Sequence, residues 1–280
     1  MFGANLLGSR SIYTHVKGEG FPVLCIHGHP GSGRAMSVFT DPLSEQCLTL
    51  APDLRGYGQS RTPIPFTLSE HLQDLEALLD QRQIERCLLL GWSLGGILAL
   101  ELMLRSPQRY SGLILIGTAA RPRGRHPKTT PFELCATGIA GFLNSWRPGW
   151  HWNIEQWGKR SLFRYLLQQH TAEAYGYLAR EGTPAYYQTS PLAHQALRQA
   201  LRSGYNRLPD LQQITAPCLM LAGSEDVHIT PESSRETALA LPNCEWHCYH
   251  NTAHLFPWEV PSALQARLQE WLKAHPEVTQ

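Results

Sequence analysis

The chain carries almost no net charge. Its 24 Lys and Arg stand against 23 Asp and Glu, leaving +1 over 280 residues. Proteins that hold nucleic acid or acidic lipid through their overall field carry a large positive excess, so neither is expected as a partner. Long apolar runs are missing too. No stretch approaches the roughly 20 residues that span a bilayer, so no membrane association is expected. Met1 to Leu7 has neither a charged start nor an apolar core of the signal-peptide kind. The seven cysteines are an odd number without framework spacing, which argues against a disulfide scaffold. Cys25, Cys87, Cys218 and Cys248 sit in strand-like runs, where a reduced cysteine acts as a small hydrophobe. These features point to a reducing compartment, the cytoplasm. There is no internal repeat and no low-complexity tract.

What the chain does have is an alternating rhythm. Residues 9–17 alternate, with Ile12, Thr14 and Val16 on one face, and Gly18 and Gly20 follow; this reads as a first hairpin strand. Continuous apolar runs at 21–26, 47–51, 86–90, 112–117 and 217–223 predict strands buried on both faces. A strand is also expected at 244–249. Helices are expected over 34–45, from Thr67, after Gly96 to Pro107, near 231–241 and from Pro261. Thr67 and Glu70 form a capping box, and Leu68, Leu72, Leu75, Leu78 and Leu79 form an apolar stripe. Such alternation predicts an α/β fold: a mostly parallel sheet with helices on both faces. The rhythm stops near residue 120. Residues 121–128 form a basic linker, and the rest to about 210 is mostly helical and aromatic-rich. The reading is therefore a core of 1–120 and 211–280 with a helical cap at 121–210 over the carboxyl edge of the sheet. Ligands bind at that edge in open α/β sheets. The tryptophans Trp92, Trp146, Trp150, Trp152 and Trp157 are candidate pocket walls for an apolar or aromatic substrate group.

The chemistry centres on Gly91-Trp92-Ser93-Leu94-Gly95-Gly96, a G-x-S-x-G turn between a strand and a helix. Ser93 then stands at a helix N-terminus, where backbone N–H groups favour developing negative charge. A serine hydroxyl needs a base within hydrogen-bond reach, and the base needs an orienting carboxylate. The loop after 217–223 offers Asp226, with Glu225 as the alternative. The loop after 244–249 offers His254, with His250 as runner-up. Backbone N–H groups of Leu94 and His29 are the candidate oxyanion donors.

Other clusters read more plainly. His27 and His29 lack a third nearby ligand, so zinc is not expected. Strand alternation puts Cys244, Cys248 and His250 on one face and His247 on the other, which does not converge on a metal. Asp53 and Arg55 read as turn-fixing residues, and His228 as a pocket wall or solvated side chain.

Five motifs in order resemble the α/β-hydrolase superfamily, in its capped branch, over nearly the whole chain outside 121–210. They are His27-Gly28-x-Pro30-Gly31, Asp53-x-Arg55-Gly56-x-Gly58-x-Ser60, the Ser93 turn, Gly223-x-x-Asp226 and Ala253-His254. The resemblance implies a Ser-Asp-His hydrolase that needs no cofactor. Serine at 93 argues against haloalkane dehalogenase and epoxide hydrolase, which are similar but use aspartate there. His29 departs from the usual small or aromatic residue, so its imidazole either contacts substrate or lines the pocket. The first expectation is cleavage of a small carboxylic ester or lactone. Carbon–carbon bond hydrolases, a menaquinone-pathway-like lyase and prolyl aminopeptidase resemble this frame as well. The lyase reading requires two of Arg34, Arg160, Arg164 and Arg180 to enter the pocket. A non-catalytic ligand receptor is the remaining class. The partner expected is a small molecule, with the chain a monomer or homodimer.

Overall fold

The apolar runs do become strands, and their alternation divides the core in two. The structure is a computed structural model and describes residues 12–280. The reading of Met1 to Leu7, and of residues 9–11 as strand, lies outside the described residues. The strands are β1 (Thr14–Lys17), β2 (Phe21–Ile26), β3 (Cys47–Pro52), β4 (Cys87–Trp92), β5 (Tyr110–Ile116), β6 (Cys218–Gly223) and β7 (Cys244–Tyr249). They form one sheet in the order β1-β3-β2-β4-β5-β6-β7. Every pairing is parallel except β1 with β3.

The first strand therefore does not form a hairpin with its sequence neighbour. β2 is flanked by β3 and β4, so no edge of it is free, and β1 crosses to the open edge of β3. Gly18 permits the crossing. Its φ is +79°, and a Cβ there would lie 2.3 Å from the Cys47 carbonyl oxygen.

Helices cover both faces. They are α1 (Ser37–Leu43), α2 (Leu68–Gln81), α3 (Leu94–Arg105), α4 (Pro131–Trp146), α5 (His151–Gln156), α6 (Ala172–Tyr177), α7 (Thr183–Tyr187), α8 (Pro191–Arg202), α9 (Pro231–Ala240), α10 (Phe256–Glu259) and α11 (Pro261–Ala274). Leu89, Leu113 and Leu115 pack with Leu72 and Leu75 of α2 and Leu98 of α3. Leu88, Leu90 and Ile114 point the other way, onto Phe39 of α1 and Leu264, Leu268 and Trp271 of α11. The Thr67–Glu70 capping box starts α2, with Glu70 accepting from the Thr67 N–H at 2.8 Å. The helix expected over 34–45 is shorter, a 3₁₀ turn at Gly33–Met36 followed by α1.

Between β5 and β6 the chain forms α4 to α8, short 3₁₀ turns and a π-helical turn at Leu178–Gly182, with no strand among the described residues. An exposed strap of residues 121–130 leads into this segment. Two bonds dock the strap on the loop after β6: Arg125 N–H donates to Val227 O at 2.7 Å, and Thr230 N–H to Arg123 O at 2.9 Å. Farther on, Arg207 reaches Glu101 of α3 through its Nε and Nη2, at 2.7 and 3.0 Å.

Candidate active site

Ser93 sits where β4 hands over to α3. Its φ and ψ are 55° and −113°, a backbone region costly for any residue with a side chain. The turn is tight because its neighbours are glycine. A Cβ on Gly95 would lie 1.9 Å from the Ile26 carbonyl oxygen, and one on Gly91 2.3 Å from that of Gly95. The Ser93 N–H donates to Ile116 O at 2.8 Å, and Thr118 Oγ1 donates to Ser93 O at 2.8 Å. The elbow is thus pinned to the end of β5 through Ile116 and to the loop just after it through Thr118.

Three side chains far apart in sequence form one hydrogen-bonded line. His254 Nε2 lies 3.1 Å from Ser93 Oγ, and His254 Nδ1 lies 2.7 Å from Asp226 Oδ2. Asp226 and His254 are both buried. The second carboxyl oxygen of Asp226 accepts the His228 and Ile229 N–H groups at 2.7 and 3.0 Å. The acid's orientation is therefore set by its own loop, and it presents Oδ2 to the imidazole. Glu259, also buried, accepts the Ala253 N–H at 2.7 Å and the Gln168 and Gln169 N–H groups at 2.8 and 2.5 Å. This carboxylate holds the loop that carries His254, and no local sequence signal marked it. Chemically, the line can take a proton from a serine hydroxyl and return it to a departing group. The alternatives are not in place for this. Glu225 is exposed and bonded to Ser224 Oγ, and His250 is an exposed turn residue.

A cavity of about 550 Å³ opens over Ser93, Leu94 and His29. Ile97 of α3, Leu197 and Leu201 of α8, and Ile229 give it an aliphatic wall. Arg121, His126, Asn206 and His228 give it a polar one. Burial, followed by the nearness of the His254 imidazole, pushes His228 down to about 3, so a neutral ring faces the site.

None of the candidate tryptophans lines this cavity. Trp92 points to the other face of the sheet, between Phe39 and Trp258, because strand alternation turns it away from Ser93. Trp146 and Trp152 are exposed, and Trp150 packs between them rather than over Ser93. Trp157 is half-buried next to α5, away from the cavity. The four arginines of the lyase reading are also elsewhere. Arg34 pairs with Glu181, Arg164 with Glu133, Arg160 bonds Gln156 O, and Arg180 lies over Tyr177. The arginine at the cavity is Arg121, which the sequence marks only as the start of the basic linker, and it is ion-paired to Glu236.

His29 lines the cavity with its ring already engaged. Its Nδ1 lies 2.7 Å from Tyr57 Oη and its Nε2 lies 2.9 Å from His194 Nδ1. Tyr57 is fully buried, and among the described residues its hydroxyl meets only His29. A buried O–H must donate, so His29 accepts at Nδ1 and donates from Nε2 to His194. Burial and the neighbouring His194 and His27 push His29 down to about 3, which keeps this neutral arrangement. The pair ties α8 to the loop after β2.

His27 uses both ring nitrogens in the backbone: Nδ1 meets Gly28 O at 2.7 Å, and Nε2 accepts the Leu54 N–H at 3.1 Å. Asp53 accepts the Gly33 and Gln59 N–H groups at 2.7 and 2.8 Å, and Arg55 grips Asp74 with two bonds. Among the described residues no group of three or more His, Cys, Asp or Glu converges as a metal site.

 The chain is 26% identical over 264 residues to a pimeloyl-[acyl-carrier protein] methyl ester esterase of Vibrio atlanticus, covering 88% of this chain and 92% of that one. It is 28% identical over 286 residues to a haloalkane dehalogenase of Mesorhizobium japonicum, covering 98% and 90%. The structure superposes on an esterase from Exiguobacterium antarcticum with a TM-score of 0.71 at 21% identity, covering 94% and 95% of the two chains. The sequence pattern of the alpha/beta hydrolase family matches residues 23–267. With its mostly parallel sheet and serine elbow, the chain belongs to the alpha/beta hydrolase family.

Proposed function

We propose that this protein is a serine hydrolase that cleaves a carboxylic ester or lactone through an acyl-enzyme on Ser93. The observation that carries the proposal is the line Ser93–His254–Asp226, at 3.1 and 2.7 Å. Ser93 Oγ attacks the carbonyl carbon while His254 Nε2 takes its proton. The N–H groups of Leu94 and His29 hold the oxyanion, each such donor being worth about 3–4 kcal/mol. The tetrahedral centre collapses, and the leaving alcohol departs with the proton from His254. Water then attacks the acyl-enzyme through the same base and frees Ser93. Asp226 holds the imidazole in the tautomer with its proton on Nδ1.

The wall of Ile97, Leu197 and Leu201, with Tyr205 on the same cavity, supports an apolar group on the substrate. The esterase relatives support the reaction class. A serine at 93 supports acyl transfer over dehalogenation, despite the dehalogenase relative. The lyase reading loses its support, because its four arginines are engaged away from the cavity.

The test is turnover of nitrophenyl esters of increasing acyl length, with Ser93→Ala measured beside the wild type. Turnover should favour an apolar acyl chain. The variant should fall by several orders of magnitude, to about 10³–10⁴-fold over water. A Ser93→Ala protein within tenfold of wild type overturns the mechanism. A wild type inert on every ester, yet saturable by one, overturns the enzyme reading in favour of a receptor.

A further inference from the structure

Surface helices of water-soluble proteins present charge to solvent. α4 does the reverse. Of its 16 residues the only charged one is Glu133, which is buried and paired with Arg164. Glu133, Ala136, Ala140 and Asn144 form the inner face. The outer face repeats at three- and four-residue steps through Phe132, Cys135, Ile139, Phe142 and Trp146. Phe142 and Trp146 are 75% and 73% exposed. Trp146 continues into Trp150 and Trp152, with ring centroids 6.4 and then 5.0 Å apart.

Cations frame this face. Lys128 precedes the helix and Arg147 follows it, the latter 5.3 Å above the Trp150 ring. Residues 121–171 hold eight Lys and Arg against two Glu, an excess of six in a chain whose total is +1; Arg121, Arg125, Lys159 and Arg164 are ion-paired, and Arg123, Lys128, Arg147 and Arg160 have no ion pair among the described residues. The even total therefore conceals a segregation. One segment is strongly basic and the rest of the molecule is net acidic.

We propose that the outer face of α4, with its flanking cations, docks on an anionic lipid surface. An uncharged aromatic stripe bordered by Lys and Arg is the composition of a helix lying in the headgroup region, with tryptophan at the interface. At about 24 Å the helix lies along such a surface and does not cross it. Among the described residues no helix is long and apolar enough to span a membrane. A second copy of the chain is a poor occupant, since a symmetric contact sets the basic segment against itself. The strap that rims the cavity, Arg121 to His126, runs through Lys128 into α4. Docking would therefore place the mouth of the cavity near the lipid. The proposal does not depend on the reaction at Ser93.

The experiment is co-sedimentation of the full chain with vesicles of phosphatidylcholine and phosphatidylglycerol, against phosphatidylcholine alone. Binding should require the anionic lipid and weaken with salt. Arg147→Ala and Lys128→Ala should each weaken it about five-fold. The double change Phe142→Ser and Trp146→Ser should weaken it about tenfold or more, with nitrophenyl ester turnover unchanged as the check on folding. Absent binding to anionic vesicles, or binding undiminished in the double variant, overturns the proposal. So does a wild-type dimer that the double variant turns into a monomer, which would assign the face to a second copy.

Discussion

Replacing Asp226 by asparagine changes the site by one proton-bearing group and almost no volume. Its effect follows from the loop that holds the carboxyl. Oδ1 accepts two backbone N–H groups, from His228 and Ile229. An asparagine must keep its carbonyl oxygen there. Turning the amide over would face its NH₂ against both donors and leave them unsatisfied, at about 1–3 kcal/mol each, or roughly 2–6 kcal/mol together. The NH₂ therefore points at His254 Nδ1, 2.7 Å away in the native protein. That nitrogen must become an acceptor, so the ring proton moves to Nε2 and faces Ser93 Oγ. A base in this tautomer cannot take the serine proton. The loss for an asparagine in this role is about 10⁴-fold in kcat, or roughly 5.5 kcal/mol of barrier. Steady-state turnover of a nitrophenyl ester measures it, with circular dichroism confirming the fold. Glu225→Gln serves as the control and should leave turnover unchanged. A folded Asp226→Asn protein with kcat within tenfold of wild type would refute the assignment of Asp226 and of the tautomer.

Other consequences are open to measurement. His194→Leu removes the acceptor of the His29 Nε2–H, so it should cost about 1–3 kcal/mol in chemical denaturation and lower kcat; His194→Asn, which keeps an acceptor, should restore both. His27, His29, His71 and His228 are held down to about 4, 3, 3 and 3, in each case mainly by burial. Their neutral forms favour the folded state, so the stability they add is full above an unfolded value of about 6.5 and shrinks as pH falls towards 3–4. Thermal melts should show Tm dropping from pH 7 to pH 5, and a flat profile would count against these burials. Gly28→Ala would put a Cβ 3.1 Å from both Ser93 Cβ and the Trp92 carbonyl oxygen, so it should lower kcat more than it lowers Tm.

The strands were readable because a sheet covered on both faces demands unbroken apolar runs, as at Cys87–Leu90 and Leu113–Ile116. The Ser93 turn was readable because its glycines answer a local steric need. Loop placement after β6 and β7 picked out Asp226 and His254. The pairing of β1 was not readable, because it depends on which sheet edge is left free. The tryptophans failed for a related reason. Helical period tells which residues of α4 share a face, but not whether that face meets a cavity or the solvent. The tie between His29 and His194 spans 165 residues with no motif at either end. One local signal went unused: Thr130 and Glu133 form a second capping box, which marks the start of α4.

The backbone at Ser93, with φ at 55°, has a consequence for how such a chain changes over generations. Glycine tolerates that conformation freely, whereas serine bears strain of about 1–3 kcal/mol. Random substitution under selection for folding alone would therefore tend to erase the hydroxyl. A lineage that lost its need for the reaction should drift to glycine at this position early, while the rest of the fold persists.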